Sequence, residues 1–213
     1  MGVNQEEAVK NIYQLCSGKS EDMEFIDLGL PSGTLWGSCN LGASKPEEFG
    51  NFYQWGDTVP YKAQFDEEGF LIQDYMNDDE GNQITLNDMY ELTSVYKHGV
   101  EYSEEVWAPI FSKYNANQEY GETDYKYKLD HEDDVASLTN SEWRYPSPKE
   151  IKELLEYTEN ITPSDASGYD PFVITLKSKV NGNIIHFPAT PWDYSEGRIL
   201  FWSNTLNNGN YSG

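Results

Sequence analysis

The apolar positions of this chain fall into short stretches separated by polar turns, and their period changes from one stretch to the next. The clearest helical spacing runs through Ser147-Pro148-Lys149-Glu150-Ile151-Lys152-Glu153-Leu154-Leu155. Ile151, Leu154 and Leu155 repeat at i, i+3 and i+4, which places them on one face and predicts a helix near 147–158 lying on a sheet. Its start is marked three times. The Ser147 hydroxyl suits an N-cap, Pro148 takes the first helical position where its missing N–H costs nothing, and Glu150 completes a capping box. Trp143, just upstream, is large enough to anchor the chain in the core. A second helical spacing, Val9, Ile12 and Leu15 behind Glu6 and Glu7, predicts a short amphipathic helix over 4–16.

Elsewhere the pattern is that of strands and turns. Phe25–Leu28 and Thr34–Trp36 flank Leu30-Pro31-Ser32-Gly33 and predict a hairpin. Phe172–Lys179 and Asn183–Phe187 flank Val180-Asn181-Gly182, and Asn-Gly between apolar runs is the strongest short hairpin signal. Phe70–Gln73 and Gln83–Leu86 bracket the acidic stretch Asn77–Asn82, which predicts an inserted hairpin. Ser103–Ile110 is expected to be helical, Phe52–Trp55 a buried aromatic segment, and Ile199–Trp202 a strand with Trp202 in the core.

Six stretches share an order and spacing with a known family. Leu129 to Ala136 reads L-x-x-E-D-D-x-A, and Trp143 to Leu155 reads W-R-x-P-S-x-x-E-I-x-E-L-L. Phe25 to Ala43 reads FIDLGLPSGTLWGSCNLGA, followed by Phe52-Tyr53-Gln54-Trp55-Gly56-Asp57. Asn183 to Ala189 then leads to the step Trp202-Ser203-Asn204-Thr205. Together these resemble the Fibrobacter succinogenes major paralogous domain, common in Bacteroidetes and related to a C-type-lectin-like, formylglycine-generating-enzyme-like fold. The resemblance implies an α+β domain over about residues 22–213, with an insertion near 65–112 and residues 1–21 as a helix and linker in front. The closing strands that follow the Trp-Ser step in the family have no counterpart up to Gly213. A fold resemblance carries function only weakly.

Composition narrows the partners. The chain has 213 residues and a net charge of −23, from 37 acids against 14 bases. That field repels phosphate backbones and anionic membrane surfaces, so neither nucleic acid nor membrane insertion is expected. No run approaches the ~20 apolar residues of a membrane span. The first sixteen residues lack the apolar stretch of a signal peptide. Cys16 and Cys39 are expected to be thiols, since two cysteines do not make a disulfide framework.

The run Asp130, Glu132, Asp133, Asp134 offers oxygen ligands for Ca²⁺, but lacks an EF-hand spacing; one aspartate capping backbone amides, with the rest facing water, is the preferred reading. The run Asn77-Asp78-Asp79-Glu80 is a weaker second candidate. His98, His131 and His186 show no metal spacing, and His186 is expected on the solvated face of a strand. No nucleophile elbow or phosphate loop is present, and neither cysteine matches the arrangement of the formylglycine-generating enzymes, which argues against an enzyme. A glycan hydrolase would need a facing carboxylate pair, to which the sequence does not point.

A binding surface remains. Trp192, Asp193 and Tyr194 form a polar-aromatic loop, and Asn204, Asn207, Asn208, Asn210 and Tyr211 belong to a segment with the palette of antibody loops. The alternative for 206–213 is a terminal tail. The resemblance places ligand-binding surface in this region; some related phage and bacterial proteins carry a hypervariable Asn/Tyr/Ser-rich segment there, written by diversity-generating retroelements. The expectation is therefore a non-enzymatic module, extracellular, on a cell surface or a virion, that binds a carbohydrate or protein ligand. Its alternative is an assembly domain that oligomerises through the N-terminal helix.

Overall fold

A computed structural model describes residues 25–62, 75–81, 83–85, 98–103, 108–118, 122–163, 173–189 and 202–206. The fold is mixed α/β, with small antiparallel sheets. In chain order the elements are β1 (Phe25–Ile26), β2 (Trp36–Gly37), β3 (Tyr75–Asn77), β4 (Gln83–Thr85), β5 (Gly99–Ser103), β6 (Ala108–Phe111), a 3₁₀ turn at His131–Asp133, α1 (Val135–Thr139), α2 (Pro148–Tyr157), β7 (Thr158–Asn160), β8 (Val173–Ser178) and β9 (Ile184–Pro188). Among the described residues no helix is long and apolar enough to cross a membrane. The chain divides into two compact units interleaved in sequence.

The first unit joins the described residues of 25–51 and 149–189. Its centre is the sheet β7-β8-β9. The register pairs Ile174 with Phe187 and Leu176 with Ile185, so alternate residues of β8 and β9 share the buried face. α2 covers that face with Leu154, which has no exposed surface, flanked by Ile151 and Tyr157. Leu155, expected on the same face, is 60% exposed, whereas Tyr157, three residues after Leu154, packs on that face. The predicted hairpin β1–β2 pairs Ile26 with Trp36, and the Trp36 ring meets Phe187 edge-on at 6.3 Å.

The turn between β8 and β9 does more than reverse the chain. Gly182 adopts φ +81, the conformation for which Asn-Gly is selected. Ser178 Oγ donates to the Leu28 carbonyl at 2.6 Å, and the side-chain amides of Asn181 and Asn183 each donate to the Asp27 carbonyl at 2.8 Å. Leu28 therefore stays fully buried on a segment that lacks ladder partners of its own.

The second unit joins the described residues of 52–62, 75–148 and 202–206. Trp55, Phe111, Tyr114, Leu129 and Leu206 form its core, with Tyr145 and Trp202 packed against it. Two indoles lock it reciprocally: Trp55 Nε1 donates to the Ser203 carbonyl at 2.8 Å, and Trp202 Nε1 to the Tyr53 carbonyl at 2.7 Å. Backbone bonds from Leu129 to Asn204, Leu206 to Tyr127 and Asn204 to Pro146 complete the lock. The acidic hairpin forms at Asp78–Gly81, but its first strand is Tyr75–Asn77; Phe70–Gln73 lie outside the described residues. The expected helix over Ser103–Ile110 is overturned at its end: Ala108–Phe111 is a strand paired with β5. Pro109 lacks the N–H that a helix interior needs, and a sheet edge tolerates it. The helix expected at 4–16, Ile199–Phe201 and Cys16 lie outside the described residues.

The burial of the two α2 leucines gives a direct check. Leu154→Ala should cost about 2–5 kcal/mol in urea unfolding, whereas Leu155→Ala should stay within about 0.5 kcal/mol of the parent.

Candidate functional site

The acidic run separates into two structural roles. Asp134 turns toward the backbone. Its Oδ1 accepts from the amides of Ala136 and Ser137 at 3.1 and 3.3 Å, and its Oδ2 from the Tyr145 amide at 3.0 Å. It is the N-cap of α1 and is 4% exposed, so both oxygens are committed and it is not part of an ion-binding group. Asp130, Glu132 and Asp133 come together instead, each offering a carboxylate oxygen within 4.8 Å of the others. The 3₁₀ turn brings them round, because three residues per turn bunches the side chains that flank it.

A cation already sits among them. Lys113 Nζ lies 2.5 Å from Asp133 Oδ2, 3.0 Å from Asp130 Oδ2 and 3.4 Å from Glu132 Oε1. Lys126 adds a second contact to Asp130 at 2.5 Å. Ca²⁺ takes six to eight oxygens at about 2.3–2.6 Å. The three carboxylates that could hold such an ion close on the Lys113 ammonium instead. Burial lowers the Lys113 pKa, but hydrogen bonds to Asp133 and Asp130 outweigh it and hold the ammonium well above its usual range. Asp130 is held below the usual carboxylate range by its bonds to Lys126 and Lys113. Burial raises Asp133, yet Lys113 and Tyr114 outweigh that and lower it too.

Tyr114 joins this cluster to the core. Its ring is fully buried, 5.1 Å from Trp55 and 5.6 Å from His98, edge-on to both. Its hydroxyl donates to Asp133 and accepts from the Asp130 amide at 2.9 Å. Burial, together with the bond to Asp133, pushes the phenol up to about 12. His98 Nε2 stands 3.5 Å from Asp133 Oδ2, longer than a good hydrogen bond. The backbone of Tyr114 lies in the left-handed region at φ +63, as does that of Tyr125 at +56. Such a conformation costs roughly 1–2 kcal/mol per residue.

Asp124 and Asn115 hold that strain. Asp124 Oδ1 accepts from the amides of Asn115 and Lys126, and its Oδ2 from that of Tyr114. The Asn115 carbonyl accepts from the amides of Asp124 and Tyr125, and its side-chain amide donates to the Glu122 carbonyl. Burial raises the Asp124 pKa, but the amides of Tyr114, Lys126 and Asn115 outweigh it and lower the value. The described residues of 112–118 and 122–129 are thus held by side chains where a ladder is missing.

Of the residues expected to bind ligand, Trp192, Asp193, Tyr194, Asn207, Asn208, Asn210 and Tyr211 lie outside the described residues. Asn204 is described and is 4% exposed, its Oδ1 without a partner among the described residues. Its backbone is held at the lock, its amide donating to the Pro146 carbonyl and its carbonyl accepting from the Leu129 amide. His186 is half-buried on the outer face of β9, its Nδ1 3.0 Å from Thr175 Oγ1, and burial lowers its pKa. Cys39 is half-buried with Sγ 3.8 Å from Ser38 Oγ. Sequence reasoning did not find Lys113 or Tyr114, which the chain places 16 to 20 residues before their partners.

Three outcomes follow for this cluster. Lys113→Met should cost about 2–4 kcal/mol, because Asp133 and Glu132 lose their counter-charge and Asp130 keeps only Lys126. In the parent chain calcium and a chelator should give the same melting curve, while in Lys113→Met calcium should raise it; a parent curve that falls on chelation reverses the assignment. Asp130, Asp133 and Asp124 have depressed folded pKa values, so their stabilisation is complete above the unfolded value of about 3.9 and is lost as pH falls through the lower folded values. Acid unfolding monitored by circular dichroism should start at higher pH in Lys113→Met than in the parent. Comparison with known proteins gives no match: no family model fits the chain, and no curated protein or solved structure is significantly similar to it.

Proposed function

We propose that the chain is a non-enzymatic recognition module of C-type-lectin-like architecture, binding a carbohydrate or protein ligand at a cell surface or on a virion. The observation that carries this reading is the rigid irregular scaffold of the second unit. Asp124, Asn115 and Asp134 fix its loops through backbone amides, and Trp55 and Trp202 clamp it reciprocally. Loops held this way are pre-organised, which reduces the ordering cost of binding. The group with the most reactive composition, Lys113, Tyr114 and Asp133, is internally neutralised, and a phenol at about 12 keeps its proton at neutral pH. That supports recognition over catalysis.

An assembly role is the second reading. Phe25, Leu35, Leu155, Ile161 and Val180 of the first unit are all more than a third exposed, apolar surface that a partner subunit would cover.

The test is a binding screen of the whole chain against glycans and intact bacterial cells, with and without calcium, beside sedimentation analysis. Saturable binding that Trp192→Ala, Tyr194→Ala and Tyr211→Ala together weaken at least tenfold supports recognition. A discrete oligomer with no binding in any arm replaces it with assembly.

A further inference from the structure

Burial alternates along the start of the first unit and gives the β1–β2 hairpin two faces. Ile26, Leu28 and Trp36 point inward and are buried. Phe25 and Gly37 pair on the opposite face, and Asp27 and Leu35 alternate onto it. Val180 marks its far end, where a Cβ at Gly29 would meet Val180 Cγ1 at 3.0 Å. Phe25, Leu35 and Val180 are 39%, 49% and 55% exposed. Asp27, between them, is turned to its own loop, its Oδ1 accepting from the Gly29 amide at 2.7 Å. Gly37 adds no side chain. The outer face is therefore a shallow apolar strip, about 13 Å long over 25–29.

The chain enters this strip at Phe25 from residues 1–24, which lie outside the described residues. At 3.6 residues per turn, Ala8, Val9, Ile12, Tyr13, Leu15 and Cys16 would fall within about 160° of a helix, with Lys10, Asn11 and Gln14 opposite. We propose that residues 8–16 form a helix on the outer face of β1–β2 of the same chain, its apolar arc against Phe25, Leu35 and Val180. The dimensions match, since Val9 to Cys16 spans about 10 Å of helix. The stretch from Ser17 to Glu24 reaches up to about 26–29 Å, enough to turn that helix back over the strip. The tether also selects the occupant. A short flexible linker holds its segment at millimolar effective concentration, which the same segment of a second copy at micromolar concentration does not match. A helix this short is marginal alone in water, so its apolar arc needs a surface to form on. Docking in this way is independent of the recognition reading and competes with assembly for Phe25, Leu35 and Val180.

Cys16, near the middle of the arc, serves as the probe. In the whole chain carrying Cys39→Ser, a second thiol is introduced by Leu35→Cys or by Val180→Cys, and oxidation with diamide is followed by non-reducing electrophoresis and intact mass. Both positions are half-exposed, and either one reads the contact if the other variant fails to fold. Cys16 should close an intramolecular disulfide with at least one introduced thiol. Ile12→Asp on the same background should slow that closure at least tenfold, because it charges the arc and leaves the tether intact. Closure at an unchanged rate in Ile12→Asp overturns the docked helix, as does the failure of both folded variants to close. Disulfide-linked dimers in place of the closed monomer overturn docking within one chain and give the face to a second copy.

Discussion

The second unit depends on one ammonium group placed where the chain can least dispense with it. In a sequence with more than two acids for every base, carboxylates brought together by a tight turn must be compensated locally. Lys113 supplies that charge to Asp130, Glu132 and Asp133 at once, and lies 4.9 Å from the centre of the Tyr114 ring. Because Tyr114 bonds the same Asp133 and packs on Trp55, the surface ion cluster and the aromatic core share a residue. Loss of the charge therefore reaches the core, which an exposed ion pair at the rim would not do.

What was legible in the sequence is what local rules determine. Asn181-Gly182 made its hairpin because the turn requires φ > 0, and Pro148 opened its helix because nothing upstream needs its N–H. The run Asp130–Asp134 was legible as a whole but not in its parts. Which aspartate caps and which two hold a lysine depends on Lys113 and Tyr145, eleven to twenty residues away. The exposure of Leu155 and the strand at Ala108–Phe111 failed for the same reason: helical spacing names a face but not its edges, and β5 competes for 108–111 through pairing that no local window contains.

The recognition reading draws its strength from how order is achieved. Short strands leave much of the backbone without ladder partners, and buried Asp57, Asn115 and Asp134 supply the missing acceptors. A scaffold built this way separates duties. The polar residues inside fix the loops, and what stands on them is released from structural work. Tyr114 and Tyr125 share the same unusual backbone conformation, yet one ring is sealed in the core and the other faces water.

The clasp that ties Leu28 to Ser178 spans 150 residues of sequence. At a synthesis rate of about 5–20 residues per second, the first hairpin waits on the order of ten to thirty seconds at the ribosome for the strand that covers it. During that interval Ile26, Leu28, Leu30 and Trp36 have neither α2 nor the sheet to lie on. The second unit emerges in between and lacks only the short stretch around Trp202. The early hairpin thus stays uncovered until residues 173–189 have been made.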